Sequence, residues 1–377
     1  MLKPQWYLDG TKRMRHLIVP SVDTQHWLNI IKGNDWVNQG IGIITLEGGM
    51  KAIPLNEKAP QDDDKIWQNH IHQEIPREEV KVRHWSDYLN KEVFEKLEQY
   101  LPKSYEMIGD LLVVRLEDQV RNYQNEIAQA MLKRISKARI VCADNGVEGE
   151  FRVRSLIPIM SRDGSLSTLT KIKENGQQII IDPTKSYFSS RLSTEREGTV
   201  VSAVKLSKHL GRPLSVIDPY AGVGPAFAGL LSELDLIGEL YVGDLNPEAV
   251  ILLRKNIDNF TTKNNSNLKT CYISCQDARK WQLDEALVRK ADLLLANLPH
   301  DIINHLSDLL PLMKKGHKTL IRGWAIINRD QLTNLKTDIS KIILKHDVEG
   351  LELKCQEIKG FSATKIYVRI ETWQTFL

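Results

Sequence analysis

The eight residues Asp218-Pro219-Tyr220-Ala221-Gly222-Val223-Gly224-Pro225 combine a carboxylate, two glycines and a helix-starting proline directly after the apolar run Leu214 to Ile217. At a strand-to-helix junction, glycines let the backbone come close to a ligand, at the carboxyl edge where open α/β sheets bind cofactors. A glycine pair alone matches many turns, so its neighbours matter. Asp218 is suited to pair with an amino group. Asp244, ending the run Leu240 to Val242, is suited to accept hydrogen bonds from ribose hydroxyls. Asp277-Ala278 follows the run Thr270 to Ser274, where it could hold an adenine amino group. An amine, a ribose and an adenine together describe S-adenosylmethionine. A dinucleotide would ask for a third glycine near Phe227, which this chain lacks. Any one of these acids could instead cap a helix, but all three in order beside Gly222 and Gly224 are harder to explain that way.

After the next apolar run, Asp292 to Ala296, stands Asn297-Leu298-Pro299-His300. This turn offers a side-chain amide and backbone carbonyls as fixed partners for a planar base, turning a ring nitrogen toward a methyl donor. The plain alternative is a loop with a helix cap at Asp301. His300 itself is expected to be structural.

Such groups need a sheet to align them. From about residue 176 apolar strands alternate with amphipathic helices, the pattern of a mostly parallel sheet covered on both faces. Strands are expected at Leu214 to Ile217, Leu240 to Val242, Thr270 to Ser274, Asp292 to Ala296 and Thr319 to Arg322. Asn246, Pro247 and Glu248 sign the start of a helix through cap, first turn and dipole. Leu351 to Ile358 and Lys365 to Thr372 predict a closing antiparallel hairpin through Gly360. The expected fold is thus an α/β, Rossmann-like class I methyltransferase domain over 176–377, preceded by two smaller α+β domains. The first, 1–62, has an apolar stretch at Leu17 to Pro20, a helix around Trp27 to Ile31, and strands at Ile41 to Leu46 and Lys51 to Leu55. It ends in a linker, Ala59 to Asp64, whose proline and acids have nothing to bury. The second, 63–175, has strands at Leu111 to Leu116 and Arg152 to Ile159 and a basic helix around Glu126 to Ile135. A further strand is expected at Gln178 to Ile181.

The 377 residues are 42% hydrophobic and 26% charged, with no apolar run long enough to cross a bilayer, so a membrane role is not expected. The first residues lack a secretory pattern, and a cytoplasmic protein is expected. Cys142, Cys271, Cys275 and Cys355 form no metal-binding spacing and read as reduced core thiols; no metal is expected. A net charge of +3 does not identify a partner, but Lys12 to His16, Lys133 to Arg139 and Lys171 to Lys173 could each meet phosphates.

Several stretches resemble the archaeal and eukaryotic tRNA (guanine-37-N1)-methyltransferases: Tyr105 to Val114, Glu148 to Arg154, Glu174-Asn175-Gly176, Tyr187 to Arg196, Ala221 to Pro225 and Asn297-Leu298-Pro299. They run in family order over most of the chain. The run Tyr187-Phe188-Ser189-Ser190-Arg191-Leu192-Ser193-Thr194-Glu195-Arg196 is the specific one, and the amino-terminal module is similar to the family's small tRNA-binding domain. The resemblance implies methyl transfer from S-adenosylmethionine to N1 of guanosine 37, by a protein expected to be a monomer that contacts the anticodon loop and outer corner of tRNA. It implies Glu195 as general base, with Arg154 matching the arginine that stabilises charge on guanine O6 and Arg152 left open as the alternative for that role. Asn297 and Pro299 shape the acceptor site, and Tyr187, Arg152 and Arg191 bind substrate. The cofactor residues implied are Asp218, Ala221, Gly222, Gly224, Asp244, Leu245, Asp277, Ala278 and Asn297. The chain departs from the family pattern at Pro219, Tyr220, Ala226 and Ser190. Rivals are a wybutosine-pathway enzyme that moves the aminocarboxypropyl group of the same cofactor or methylates a tricyclic guanosine derivative, and a non-catalytic tRNA-binding protein.

Overall fold

The continuous buried run His16 to Val19 forms the centre of a four-stranded antiparallel sheet in the computed structural model, which describes residues 13–38, 42–76, 84–266 and 268–377. The chain divides into two units, 1–84 and 85–377. In the first, strands β1 (Arg13–Pro20), β2 (Ile44–Thr45), β3 (Met50–Pro54) and β4 (His72–Pro76) are ordered β2-β3-β1-β4, with helix α1 (Thr24–Gly33) inserted after β1. Its core gathers Leu17, Val19, Trp27, Ile31, Ile53 and Trp67. The expected linker at Ala59 to Asp64, and with it a boundary at 62, is corrected. Ala59 is buried, Asp62 takes a 3.1 Å ion pair from Arg15, and β4 beyond it pairs with β1. The proline and acids there form a turn that brings Trp67 into the core, where its indole nitrogen donates to the Gln61 carbonyl at 2.9 Å. Lys12 and Ile41 lie outside the described residues.

The second unit begins with α2 (Lys91–Leu97) and a sheet of β5 (Glu106–Ile108), β6 (Leu111–Val114), β7 (Ile140–Glu148) and β8 (Val153–Ser161), on which α3 (Gln124–Arg134) packs. β7 is absent from the sequence expectation. It pairs in parallel with β6 and antiparallel with β8, forming a long hairpin whose tip holds Gly149 to Arg152. A short hairpin, β9 (Thr170–Glu174) and β10 (Gln177–Ile181), follows. Ile179 and Ile181 sink into the core of the large sheet and Ile172 of β9 packs against it, so that core already takes up a residue before 176.

The rest alternates as expected: α4 (Ser193–Leu210), β11 (Leu214–Asp218), α5 (Pro225–Leu230), β12 (Ile237–Asp244), α6 (Pro247–Asn264), β13 (Thr270–Cys275), β14 (Leu293–Ala296), α7 (Ile302–Leu309), β15 (Lys318–Asn328), α8 (Leu332–Ile343), β16 (Val348–Gly360) and β17 (Lys365–Phe376). The order is β13-β12-β11-β14-β15-β17-β16; the first five strands are parallel and the last two form the antiparallel hairpin. Successive strands move outward on both sides of β11. Their carboxyl ends therefore diverge between β11 and β14, the switch point at which open α/β sheets hold ligands. At the opposite end of these strands Asp292, fully buried, accepts from Arg212 at 2.7 Å and from the Ser215 backbone at 2.8 Å, which ties β11 to β14. The expectation of four core thiols holds only for Cys142. Cys271 and Cys275 are exposed and Cys355 is half-buried because β13 and β16 are the sheet's edges.

Candidate cofactor and acceptor site

β11 ends at Asp218, and the glycine loop turns back over it. Gly224 has φ +81°, and a Cβ there would stand 2.6 Å from Leu253 Cδ1, so the loop can close on α6 only without a side chain. Gly222 has φ +56°, and a Cβ there would meet nothing nearer than the Tyr187 carbonyl at 4.0 Å, so its backbone borders open space. Asp244 Oδ2 accepts from Gly222 N at 2.8 Å and its Oδ1 from Asn246 N at 2.9 Å, which locks the loop to the end of β12. A carboxylate keeps acceptor capacity beyond two such bonds. Asn246 caps α6 through Glu248 N and donates to the Lys185 carbonyl at 2.7 Å, which draws in the segment leading to Tyr187.

Two acids here are disfavoured as anions. Burial pushes the Asp218 carboxyl up to about 8, the nearby Asp244 charge adding to it against one backbone bond from Tyr220. Burial also raises Asp244. Leu245 beside it exposes an apolar face to solvent. A buried acid that gains by meeting a cation, a carboxylate with spare lone pairs and an exposed apolar surface fit the amine, ribose and adenine of S-adenosylmethionine. Asp277 is committed differently from the expectation: Arg279 pairs with it at 2.7 Å and holds its carboxyl down to about 2, while Ala278 is buried behind it. The bond from Tyr220 Oη to His305 Nδ1, 2.7 Å long, joins the loop to α7.

One strand over, Asn297 is exposed at the end of β14, and the Pro299 carbonyl accepts from Ile326 N of β15 at 2.6 Å. Ala296 pairs with Gly323, which sets Trp324 alongside Asn297. Trp324 Nε1 donates to Glu195 Oε2 at 3.0 Å. Glu195, in the first turn of α4, is 6% exposed and is further held by Arg369 at 3.4 Å and Arg322 at 3.7 Å. Arg322 is itself buried and shared with Glu371, Thr199 and Ser202. Asp218, Gly222, Asp244 and Asn297 thus sit at or just beyond the carboxyl ends of β11, β12 and β14, and Glu195 on α4 is tied through Trp324 to β15 one residue past its pairing with Ala296. Arg322, Trp324, Arg369 and Glu371 are absent from the sequence expectation. The available signal is an arginine inside the apolar run Thr319 to Ile327, because a buried charge demands a partner.

The substrate-side residues separate more. Arg154 is spent on Glu106 at 2.6 Å and Asp144 at 2.5 Å, both in its own sheet. Arg152, at the hairpin tip with φ +52°, lies close enough to His300 that its charge, with that of Lys365, supplements burial in lowering that imidazole's pKa. Of the two arginines, Arg152 is the one whose charge acts on His300 of the acceptor turn. His300, expected to be structural, is exposed and meets Phe361 edge-on at 5.9 Å. Tyr187 is half-exposed and Arg191 is exposed. The specific Tyr187 to Arg196 run is anchored at its far end, where Arg196 grips Glu174 at 2.5 and 2.6 Å.

Comparison with known proteins gives two family matches: the TYW2 N-terminal domain over residues 85–161 and the TRM5/TYW2 methyltransferase domain over residues 170–348. The tRNA (guanine(37)-N(1))-methyltransferase Trm5b of Pyrococcus abyssi is 29% identical over 266 residues, 70% of this chain and 71% of that protein. Trm5b of Methanocaldococcus jannaschii is 29% identical over 224 residues, 57% of this chain and 61% of that protein. Among solved structures, P. abyssi Trm5b has a TM-score of 0.62 at 22% identity, covering 96% of this chain and 100% of that one. P. horikoshii TYW2 in complex with MeSAdo has a TM-score of 0.57 at 18% identity, covering 76% and 97%. Both share the fold.

Proposed function

Because this chain belongs to the TRM5/TYW2 methyltransferase family, whose donor is S-adenosylmethionine, we propose that it methylates N1 of guanosine 37 in the anticodon loop of tRNA. The observation that carries the proposal is a fixed carboxylate, Glu195, bonded to the Trp324 indole beside the Asn297 turn, at the sheet edge that carries the glycine loop. The relatives named as guanine-37 enzymes give it support.

Bound at this edge, the donor supplies an electrophilic methyl group. Asp218 would meet its amine, Asp244 its ribose hydroxyls, and Leu245 its adenine face. Guanine N1 bears a proton at neutral pH and becomes a nucleophile only when that proton leaves, and Glu195 accepts it. Trp324 and the two guanidinium groups hold the carboxylate in place beforehand, so little reorganisation is left for the reaction itself. Arg152 stabilises the charge growing on O6, while Arg154, already neutralised by two carboxylates, steadies the hairpin that carries it. Tyr187 stacks on the extruded base and the Asn297 amide aligns its edge.

Donor labelled separately in its methyl and carboxyl carbons tests the assignment. Methyl label alone is expected in unmodified tRNA, mapped by mass to 1-methylguanosine at position 37. The match to a TYW2 amino-terminal domain motivates the second reading, aminocarboxypropyl transfer, and carboxyl label in the RNA would establish that one instead.

Asp218 adds a pH signature. Its folded-state pKa of about 8 lies above its ordinary value of 3.8, so the folded protein keeps a proton that the unfolded chain has lost. Without donor, stability should therefore fall as pH rises from about 4 to about 8. The donor's ammonium favours ionised Asp218, so donor affinity should rise over pH 6 to 8 and level off above. Calorimetry at pH 7 in buffers of different ionisation heat should register release of roughly one proton on binding. Asp218→Asn should abolish both effects; an unchanged proton count would remove Asp218 from the site.

A further inference from the structure

The fold absorbs arginines from two of the chain's three basic stretches. In the amino-terminal unit Arg15 is held by Asp62 and the Ala59 carbonyl. In the second unit Arg139 pairs with Asp110 at 2.8 Å and donates to the carbonyls of Ser167 and Leu169. The third stretch stays outward: Lys171 and Lys173, both exposed on β9, line an open groove of about 590 Å³ together with Asp110, Thr170, Ile172, Ile180 and Lys255.

This groove is firmly built. Buried Asn256 of α6 accepts from Ile180 N at 2.8 Å and donates to the Ile180 carbonyl at 2.9 Å, so neighbouring Lys255 is fixed relative to the hairpin. The groove's acid is neutralised from within: Asp110 takes Arg139 Nε at 2.8 Å and Thr170 Oγ1 at 2.7 Å, and these bonds hold its carboxyl below the usual range against the cost of burial. Lys171 and Lys173 share one face of the hairpin with Ile180, and Lys255 of α6 lines the same groove. Lys255 is eight residues beyond Pro247, about 12 Å along α6 from the helix end that follows Asp244. The groove also joins segments from both family matches, Asp110 from one and the lysines from the other.

We propose that this groove binds the sugar–phosphate backbone of the substrate RNA, away from the reacting nucleotide; the proposal rests on RNA being the substrate. A polyanion with apolar ribose faces matches three lysines set around the apolar Ile180, and each lysine that meets a phosphate releases a counterion.

The test is filter binding of unmodified tRNA without donor, across a salt series, to the full chain and to K171Q/K173Q/K255Q. The triple variant is expected to lose affinity at least about ten-fold at 0.15 M salt, and the slope of log K against log salt should shrink by roughly 2 units, at about 0.7–0.9 per contact. Turnover at saturating tRNA and donor affinity should stay at wild-type values, which also reports an intact fold. Unchanged affinity and slope would overturn the proposal, as would a loss of affinity with the slope intact. If the wild type transfers no methyl group but the variant still loses RNA affinity and slope, the groove stands and the guanosine-37 assignment falls.

Discussion

Replacing Glu195 with glutamine is expected to slow single-turnover methyl transfer about 10²- to 10⁴-fold, the range that general bases contribute, while donor affinity changes by less than about two-fold. Glutamine preserves the shape and can still accept from Trp324 Nε1, so packing beneath α4 should survive. It cannot take the N1 proton. Raising the pH should recover part of the lost rate, because hydroxide then removes that proton without help. Wild-type turnover by Glu195→Gln at every pH would mean that this carboxylate only ties α4 to the sheet through Trp324, Arg322 and Arg369. The proton would then need another acceptor.

Arg322→Ala is expected to cost roughly 3–5 kcal/mol of stability, read as a lower midpoint of denaturant unfolding, because it strands two acids that share a buried cation. Arg322 is 1% exposed and meets Glu195 on α4 and Glu371 on β17, as well as Thr199 and Ser202. Removing the cation leaves Glu371 without its ion-pair partner and Glu195 with Arg369 and the Trp324 indole. Glu371, whose carboxyl the Trp373 indole and Arg322 hold down against burial, should then take up a proton more readily. Arg322→Met, which fills more of the space, should recover packing but not the charge balance. A loss below about 1 kcal/mol for alanine would show that Arg322 is not what compensates these buried carboxylates.

The cofactor edge was legible early because its parts are local. Asp218, Gly222 and Gly224 sit within seven residues, and an acid two residues before a capped helix, as Asp244 is before Asn246 and Pro247, follows a rule of strand-to-helix junctions. The parallel order and the closing hairpin followed from apolar runs separated by helical spacing. The amino-terminal boundary was misread because Pro60 and the acids after it look like a linker, while the tryptophan that pulls the chain back comes later, at Trp67. β7 was missed because its second half, Asn145-Gly146, interrupts the apolar alternation; long pairing with β8 sustains it across irregular register.

Residue types and short spacing determined by themselves that this chain would build a twisted parallel sheet with a glycine loop and a row of carboxylates at one edge, since backbone sterics and burial periodicity act over a few residues. Tertiary structure alone decided the charge state and neighbours of those carboxylates. Glu195 meets Trp324 across 129 residues and Arg369 across 174. Arg154 is consumed by Glu106 and Asp144, while the charge of Arg152 at the hairpin tip acts on His300 of the acceptor turn. Coulomb interactions and desolvation depend on distance in space, which chain separation does not encode.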